Sequence, residues 1–438
     1  MPVISRRAAV NMLAAGVLLL LVAATFAGRA VGPAQPSEGT GTATVVEDPV
    51  TVAIEAAQER VDEVPGDWGT WAALGGAYVE QARITADPSY YARAEDALDR
   101  SLELRPDDND AALTGLGALA NARHEFASAE ELAGRALALN AYSATAWGVL
   151  NDARTQLGDY EGATAAVARM VALEPGVASF TRASYDAELH GDAAQAVTAL
   201  EQALERASSP AEEAYCLTYL GALAWSQGDL DDAARRYDAG SVATPDDPLI
   251  LLGQARVAAA RGDADLAEQS FEKVVSAQPL PEHLVEYGEF LLSIGDDAGA
   301  ADQFAVLAVV RQLFEANGVG DDLEVALFEA DHGDPAVALA AAEAEFGLRQ
   351  NVDAHDALGW ALHKAGRSAE ALDHARAATA LGGESARFLY HRGVIEAALG
   401  RDDEARATLA AAFDRNPYFS PLYAPRAEAL LESLGGRP

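Results

Sequence analysis

Residues 158–167 read Gly158-Asp159-Tyr160-Glu161-Gly162-Ala163-Thr164-Ala165-Ala166-Val167. A glycine reaches the left-handed backbone conformation that ends a helix. The aspartate after it accepts hydrogen bonds from the first free amides of a following helix. Ala163 starts that second helix where it comes closest to the first, and a small side chain there lets the two pack tightly. Val167, one turn later, fills the space beyond. The stretch therefore encodes a tight turn between two packed helices.

The same turn recurs at Gly191-Asp192, Gly228-Asp229, Gly262-Asp263, Gly295-Asp296, Gly333-Asp334, Gly366-Arg367 and Gly400-Arg401, with spacings of 33, 37, 34, 33, 38, 33 and 34. The alanine recurs at Ala196, Ala233, Ala267, Ala300, Ala338, Ala371 and Ala405. The larger residue after it recurs at Leu200, Tyr237, Phe271, Phe304 and Leu409. Pro175, Pro245, Pro279 and Pro417 close their units, because proline stops a helix. So steady a period marks one helix pair stacked on copies of itself, each pair burying the apolar face its neighbour cannot bury alone.

The pattern resembles the tetratricopeptide repeat, a helix-turn-helix with a W-x2-L-G-x2-Y…A-x3-F…P signature. Trp71, Leu74, Gly75 and Tyr78 carry its first half complete, and Ala94, Leu98 and Pro106 its second half after an insertion at residues 84–90. Leu113, Leu116, Gly117, Ala129 and Ala136 follow, then Trp147, Leu150, Ala163 and Pro175. Leu220-Gly221 and Leu358-Gly359 repeat the motif later. Asn151 and Ala141 depart from it. Residues 305–350 fit least well: the apolar run Val306 to Phe314 extends a helix, and the segment is expected to be a distorted unit or a joint. The resemblance implies an all-α, right-handed superhelical solenoid of about ten helix pairs over residues 50–438. Residues 50–65 would cap its start, and a helix over 422–434 its end. It also implies a concave groove, lined by first helices, that binds extended or helical peptide segments of another protein.

Composition narrows the function further. Lysine plus arginine total 31 against 68 acidic residues, a formal charge of −37. Phosphates would be repelled, so nucleic acid is not an expected partner. Only Lys273 and Lys364 are lysines, which excludes the lysine clamp with which some members of the family hold acidic tails. The single cysteine, Cys216, excludes an intrachain disulfide framework and reads as a small buried hydrophobe.

The N-terminus carries a different signal. Arg6 and Arg7 precede an apolar stretch from Ala8 to Ala27. That is the order of an export signal, and the stretch is also long enough to cross a bilayer uncleaved. Residues 1–30 are therefore expected to be a signal peptide or signal anchor, with either form placing the body outside the cytoplasmic membrane. Residues 31–49 read as a flexible tether.

No motif for catalysis or for a bound cofactor stands out. Neither lysine follows a glycine-rich loop, no second histidine completes a zinc motif around His124-Glu125, and no nucleophile elbow is present. A non-enzymatic scaffold is expected. Five histidines lie late, His332, His355, His363, His374 and His391, and form the basis of one alternative, a metal- or small-ligand-binding solenoid. A second alternative is a subunit of a membrane assembly or secretion complex. Groove-facing positions two, five, nine and twelve of the first helices carry Asp152, Thr155, Tyr185, Glu188, Tyr215, Trp225, Arg256, Glu289, Trp360, His363 and Tyr390. Trp360, His363 and Tyr390 are expected to project together into the groove and form its main peptide-contact patch.

Overall fold

The computed structural model describes residues 49–438 apart from residues 86, 88, 317–321 and 384. The expected targeting segment and tether, residues 1–48, lie outside the described residues. Among those described there are 22 α-helices and no strand. A lone helix, α1 (Pro49–Glu63), opens the array. The first five pairs are α2 and α3 (Trp68–Thr85, Ser89–Leu104), α4 and α5 (Asp110–Ala122, Phe126–Leu139), α6 and α7 (Ala144–Leu157, Tyr160–Leu173), α8 and α9 (Val177–Leu189, Ala193–Arg206), and α10 and α11 (Pro210–Ser226, Leu230–Ala243). The second five are α12 and α13 (Pro248–Ala260, Ala264–Ala277), α14 and α15 (Pro281–Ile294, Asp297–Ala316), α16 and α17 (Asp322–His332, Pro335–Leu348), α18 and α19 (Val352–Lys364, Ser368–Ala378), and α20 and α21 (Ala386–Ala398, Asp402–Arg415). The cap α22 (Ala424–Ser433) closes the array. The molecule is an all-α solenoid of ten stacked pairs with a cap at each end.

The turns form as the sequence dictates. Gly158, Gly191, Gly228, Gly262, Gly295, Gly366 and Gly400 all have φ between 70° and 85°. Asp159, Asp192, Asp229, Asp263 and Asp296 each accept a bond of 2.9–3.2 Å from the amide three residues on. Gly333 does not take the left-handed conformation. There Asp334 caps α17 directly, with proline at the first helical position. His124 fills the turn-glycine position of the second pair and is held at φ 61° without being a glycine.

Packing explains the alanines. Ala94, Ala129, Ala196, Ala233, Ala267, Ala338, Ala371 and Ala405 have no exposed surface, and Ala163 and Ala300 are 1% exposed. The glycines opposite them are equally constrained. A Cβ on Gly288 would lie 2.3 Å from the Phe304 ring, and one on Gly75 would lie 2.4 Å from Leu98. In two of the first helices that lack that glycine, a polar side chain bonds across instead: Asn151 Nδ2 donates to the carbonyl of Ala163 at 3.0 Å and Ser184 Oγ to that of Ala196 at 2.9 Å. These bonds satisfy groups that would otherwise be buried unpaired.

The irregular segment stays in the stack. α15 runs for 20 residues, as the apolar run predicts, and Phe304 meets Phe328 at 5.2 Å and His332 at 5.0 Å. Arg311 pairs with Glu329 at 2.9 Å. The array therefore continues from α15 into α16 without a break in contact.

The superhelix also touches itself. The α6–α7 turn meets the start of α18: Arg349 Nη1 and Asn351 Nδ2 donate to Gln156 Oε1 at 3.1 and 2.9 Å, and the Val352 amide donates to the Tyr160 hydroxyl at 2.8 Å. The Gln350 amide reaches the Gln156 carbonyl at 3.2 Å. Next along, the Gly383 amide donates to the Leu189 carbonyl at 2.9 Å, and Asn416 Nδ2 to the Trp225 carbonyl at 2.9 Å. Bonded side chains across this line are 191–195 residues apart, so one superhelical turn takes between five and six units. None of the apolar clusters of the described residues joins the two sides. The line is a polar seam.

Candidate partner-binding groove

The first helices line the concave face, and the groove splits into two stretches of different character. Over α6 to α12 the aromatic side chains of the groove remain half-buried. Tyr185, Tyr215, Tyr219 and Trp225 all lie in this class, neither core nor free surface. Tyr215 and Tyr219 are 4.7 Å apart on α10. The Arg256 guanidinium lies 5.3 Å over the Trp225 ring. Trp225 Nε1 is buried with no hydrogen-bond acceptor.

Charges in this stretch are largely neutralised within the fold. Arg182 holds Asp152 through two bonds of 2.8 and 2.7 Å, and its own side chain is 1% exposed. Burial pushes the Asp152 carboxyl up, and Arg182 offsets this in part. Arg256 pairs with Glu286 in the same bidentate way, at 2.6 and 2.7 Å. Thr155 is buried. Glu188 is half-buried, and burial raises its carboxyl; Asp353 adds to the rise while Arg415 opposes it. Burial likewise pushes the Tyr185 phenol well up, with Asp353 and Glu188 adding to it. Asp353 stands at position two of α18, so the groove-facing register applied to that unit includes it.

The second stretch, α14 to α20, corrects an expectation. Trp360 and Tyr390 are not exposed: they are 3% and 7% accessible and belong to one apolar cluster with Leu422, Tyr423 and Leu431. The residues do meet, with Trp360 5.3 Å from His363 and 6.0 Å from Tyr390. What the sequence did not reveal is the filling. Phe419 and Tyr423, from the segment leading into α22, lie 5.7 and 5.8 Å from the Tyr390 ring. The Tyr423 hydroxyl reaches across to Glu289, 7% exposed, at 3.1 Å and to His332 at 3.3 Å. The chain's own C-terminal segment thus occupies the surface expected for a ligand. Tyr423 lies outside the repeat register, so no periodic pattern marks it.

The late histidines serve packing. His363 and His391 both stack on Trp360, at 5.3 and 4.2 Å, so the indole is shared between them. His391 Nδ1 is 2.9 Å from Asp356, and His363 Nδ1 is 3.0 Å from Ser368. Burial lowers the His363 pKa, with Lys364 and His391 contributing. His332 Nε2 lies 3.1 Å from Glu289, and His355 and His374 meet at 3.0 Å through their Nδ1 atoms. Among the described residues no group of three or more metal-ligating side chains converges. Cys216 has no exposed surface, and burial pushes its thiol up to about 12, the environment of an inert core residue.

The tetratricopeptide repeat family matches the sequence at residues 183–248, 218–280, 252–312 and 357–418. The matches leave out residues 313–356, most of the irregular segment, and agree in register with the alanine, glycine and proline positions described above. The chain is a tetratricopeptide repeat protein. None of the curated proteins compared with it matches the sequence. Among solved structures it is similar to a tetratricopeptide repeat protein from Parabacteroides merdae, at 18% identity over 59% of this chain and 98% of the other, with a TM-score of 0.35. It is similar to PilW, a widely conserved type IV pilus biogenesis factor, at 17% identity over 50% and 98% of the two chains, TM-score 0.39. It is also similar to the human IFIT1 dimer with PPP-AAAA, at 14% identity over 83% and 86%, TM-score 0.44. The tetratricopeptide array marks the chain as a protein-interaction repeat protein. No helix of the described residues is long and apolar enough to cross a membrane.

Proposed function

We propose that this tetratricopeptide protein is a non-enzymatic scaffold, held outside the cytoplasmic membrane by its N-terminal segment, that takes an extended segment of a partner protein in the groove over α6, α8, α10 and α12. The observation that carries the reading is the row of half-buried aromatic residues on neighbouring first helices, Tyr185, Tyr215, Tyr219 and Trp225, one of which has an indole N–H without an acceptor. Aromatic residues in partly desolvated surroundings are over-represented among binding hot spots. Within the second stretch the aromatics are already spent on the core. The export reading rests on Arg6-Arg7 followed by the apolar stretch Ala8 to Ala27.

The test is crosslinking capture from the native host with the full chain. A Tyr185→Ala plus Tyr215→Ala variant is expected to lose the captured partner while keeping its helical signal and melting point. Tyr142→Ala, at a residue 77% exposed on a connection between units, is expected to keep it. Equal loss in both variants, or retention in both, sinks the groove reading. A reporter active only outside the cytoplasm, fused after Pro438, tests the location; stable expression without activity would refute it.

A further inference from the structure

We propose that the polar seam is a latch, and that the groove admits a partner only when the seam parts. The closed form leaves little way in. The seam bonds tie the α6–α7, α8–α9 and α10–α11 turns to the next superhelical turn, which closes the side of the groove there. Toward the C-terminal end, Tyr423 bridges to Glu289 and His332. Parting the seam opens a way in from the side, between the two superhelical turns.

The seam's composition suits reversible opening. Its bonds are single polar contacts that water can replace: Gln156 with Arg349, Gln350 and Asn351, Tyr160 with Val352, Leu189 with Gly383, and Trp225 with Asn416. No apolar cluster of the described residues crosses it, and a ring contact there is made by a charged group, the Arg349 guanidinium 5.9 Å over Phe126. It also depends on bare backbone. A Cβ on Gly158 would lie 2.7 Å from the Gln350 carbonyl oxygen, and one on Gly383 would lie 2.2 Å from that of Glu188. A Cβ on Gly191 would lie 2.5 Å from the Gly382 carbonyl oxygen, and one on Gly382 would lie 3.1 Å from that of His190. Gly262, Gly295, Gly366 and Gly400 occupy the same turn position with the same sign of φ and meet nothing within 4 Å. Close approach is thus confined to the turns that form the seam, and is not a general property of the repeat.

The purpose assigned to the latch rests on the groove reading, whereas the latch itself is tested without any ligand. The amides of Gln350, Val352 and Gly383 bond only across the seam, so their hydrogen exchange reports its opening directly. In the full chain they are expected to exchange together, and far faster than the mid-helix amides of Leu358 and Ile395 beside them. Gly383 has no left-handed φ, so Gly383→Ala adds a collision with the opposite turn and little else. It should speed exchange at Gln350 and Val352 by about tenfold or more, as expected if ordinary overpacking strain falls on the closed form alone, and leave Leu358 and Ile395 unchanged. Tyr160→Phe, which deletes only a hydroxyl, should do the same at Gln350 and Gly383 and serves if the alanine variant does not fold. Seam amides that exchange no faster than Leu358 would make the seam a permanent part of the fold. Acceleration confined to the neighbourhood of each substitution would make it a set of independent contacts. Either result overturns the latch.

Discussion

A Cβ atom placed on Gly191 would lie 2.5 Å from the carbonyl oxygen of Gly382, closer than real Cβ contacts come. Gly191 therefore answers two demands at once. Its φ of 78° ends α8, and its missing side chain lets the next superhelical turn lie against the turn that follows. Gly262, with φ 76°, meets only the first demand.

The pair separates backbone strain from seam contact. Gly262→Ala should cost about 1–2 kcal/mol, the usual penalty for a side chain in the left-handed region. Gly191→Ala should cost about 1–3 kcal/mol more, the range of ordinary overpacking. Urea midpoints of the two variants check this; equal midpoints would mean that the seam contributes nothing.

The packing register predicts a similar contrast within one unit. Ala163 is 1% exposed where α7 crosses α6, while Glu161, two residues earlier, is exposed. Ala163→Trp should lower stability by about 1–3 kcal/mol or more, and Glu161→Trp by much less. Thermal unfolding of both, followed by circular dichroism, decides it.

The C-terminal filling of the groove should prove structural. Replacing Trp360 and Tyr390 by alanine removes two buried rings, each worth about 3–5 kcal/mol, and the variant is expected to lose its cooperative melt. Tyr423→Phe keeps the ring and deletes the hydroxyl that Glu289 accepts from. It should cost about 1–3 kcal/mol by leaving buried polar groups under-satisfied. A double variant that melts normally would return Trp360 and Tyr390 to the groove surface.

His124 gives a signed pH effect. Burial, with Arg349 adding, lowers its pKa to about 4 in the folded chain, below its ordinary value near 6.5. The unfolded chain therefore binds the proton more readily. This residue's contribution is fully present above about pH 6.5 and is lost as the pH falls through about 4. Asparagine tolerates the left-handed conformation that His124 adopts, so His124→Asn removes the titration with little new strain. The difference in unfolding free energy between wild type and variant should change by up to about 1.4 kcal/mol per pH unit within that window and be flat above it. Glu188, Asp353 and Glu324, whose carboxyls are raised, act with the opposite sign in both proteins and cancel in the difference.

The sequence by itself determined the repeat. Gly158, Ala163 and Pro175, and their counterparts along the chain, act through the backbone and through contacts between the two helices of a pair or the next pair in line. Such interactions join residues a fixed, short distance apart, so they leave a period that can be read directly. Asn151, a departure from the motif, keeps the register because its side chain bonds to the carbonyl of Ala163, twelve positions on in the partner helix. The groove positions Asp152, Tyr185, Trp225 and Arg256 follow from the same register. Only the tertiary structure decided which of them stay accessible. Trp360 and Tyr390 occupy formally equivalent positions, yet His363 and His391 stack on Trp360, and Phe419 and Tyr423 return from the end of the array to cover Tyr390. Gly191 and Gly262 are alike in sequence and in backbone, yet only Gly191 faces another superhelical turn. The second distinction depends on how far the solenoid rotates per unit, a small angle set by packing along every interface and summed over five to six units. No local pattern records that sum, so contacts between residues 191–195 positions apart appear only once the whole stack is built.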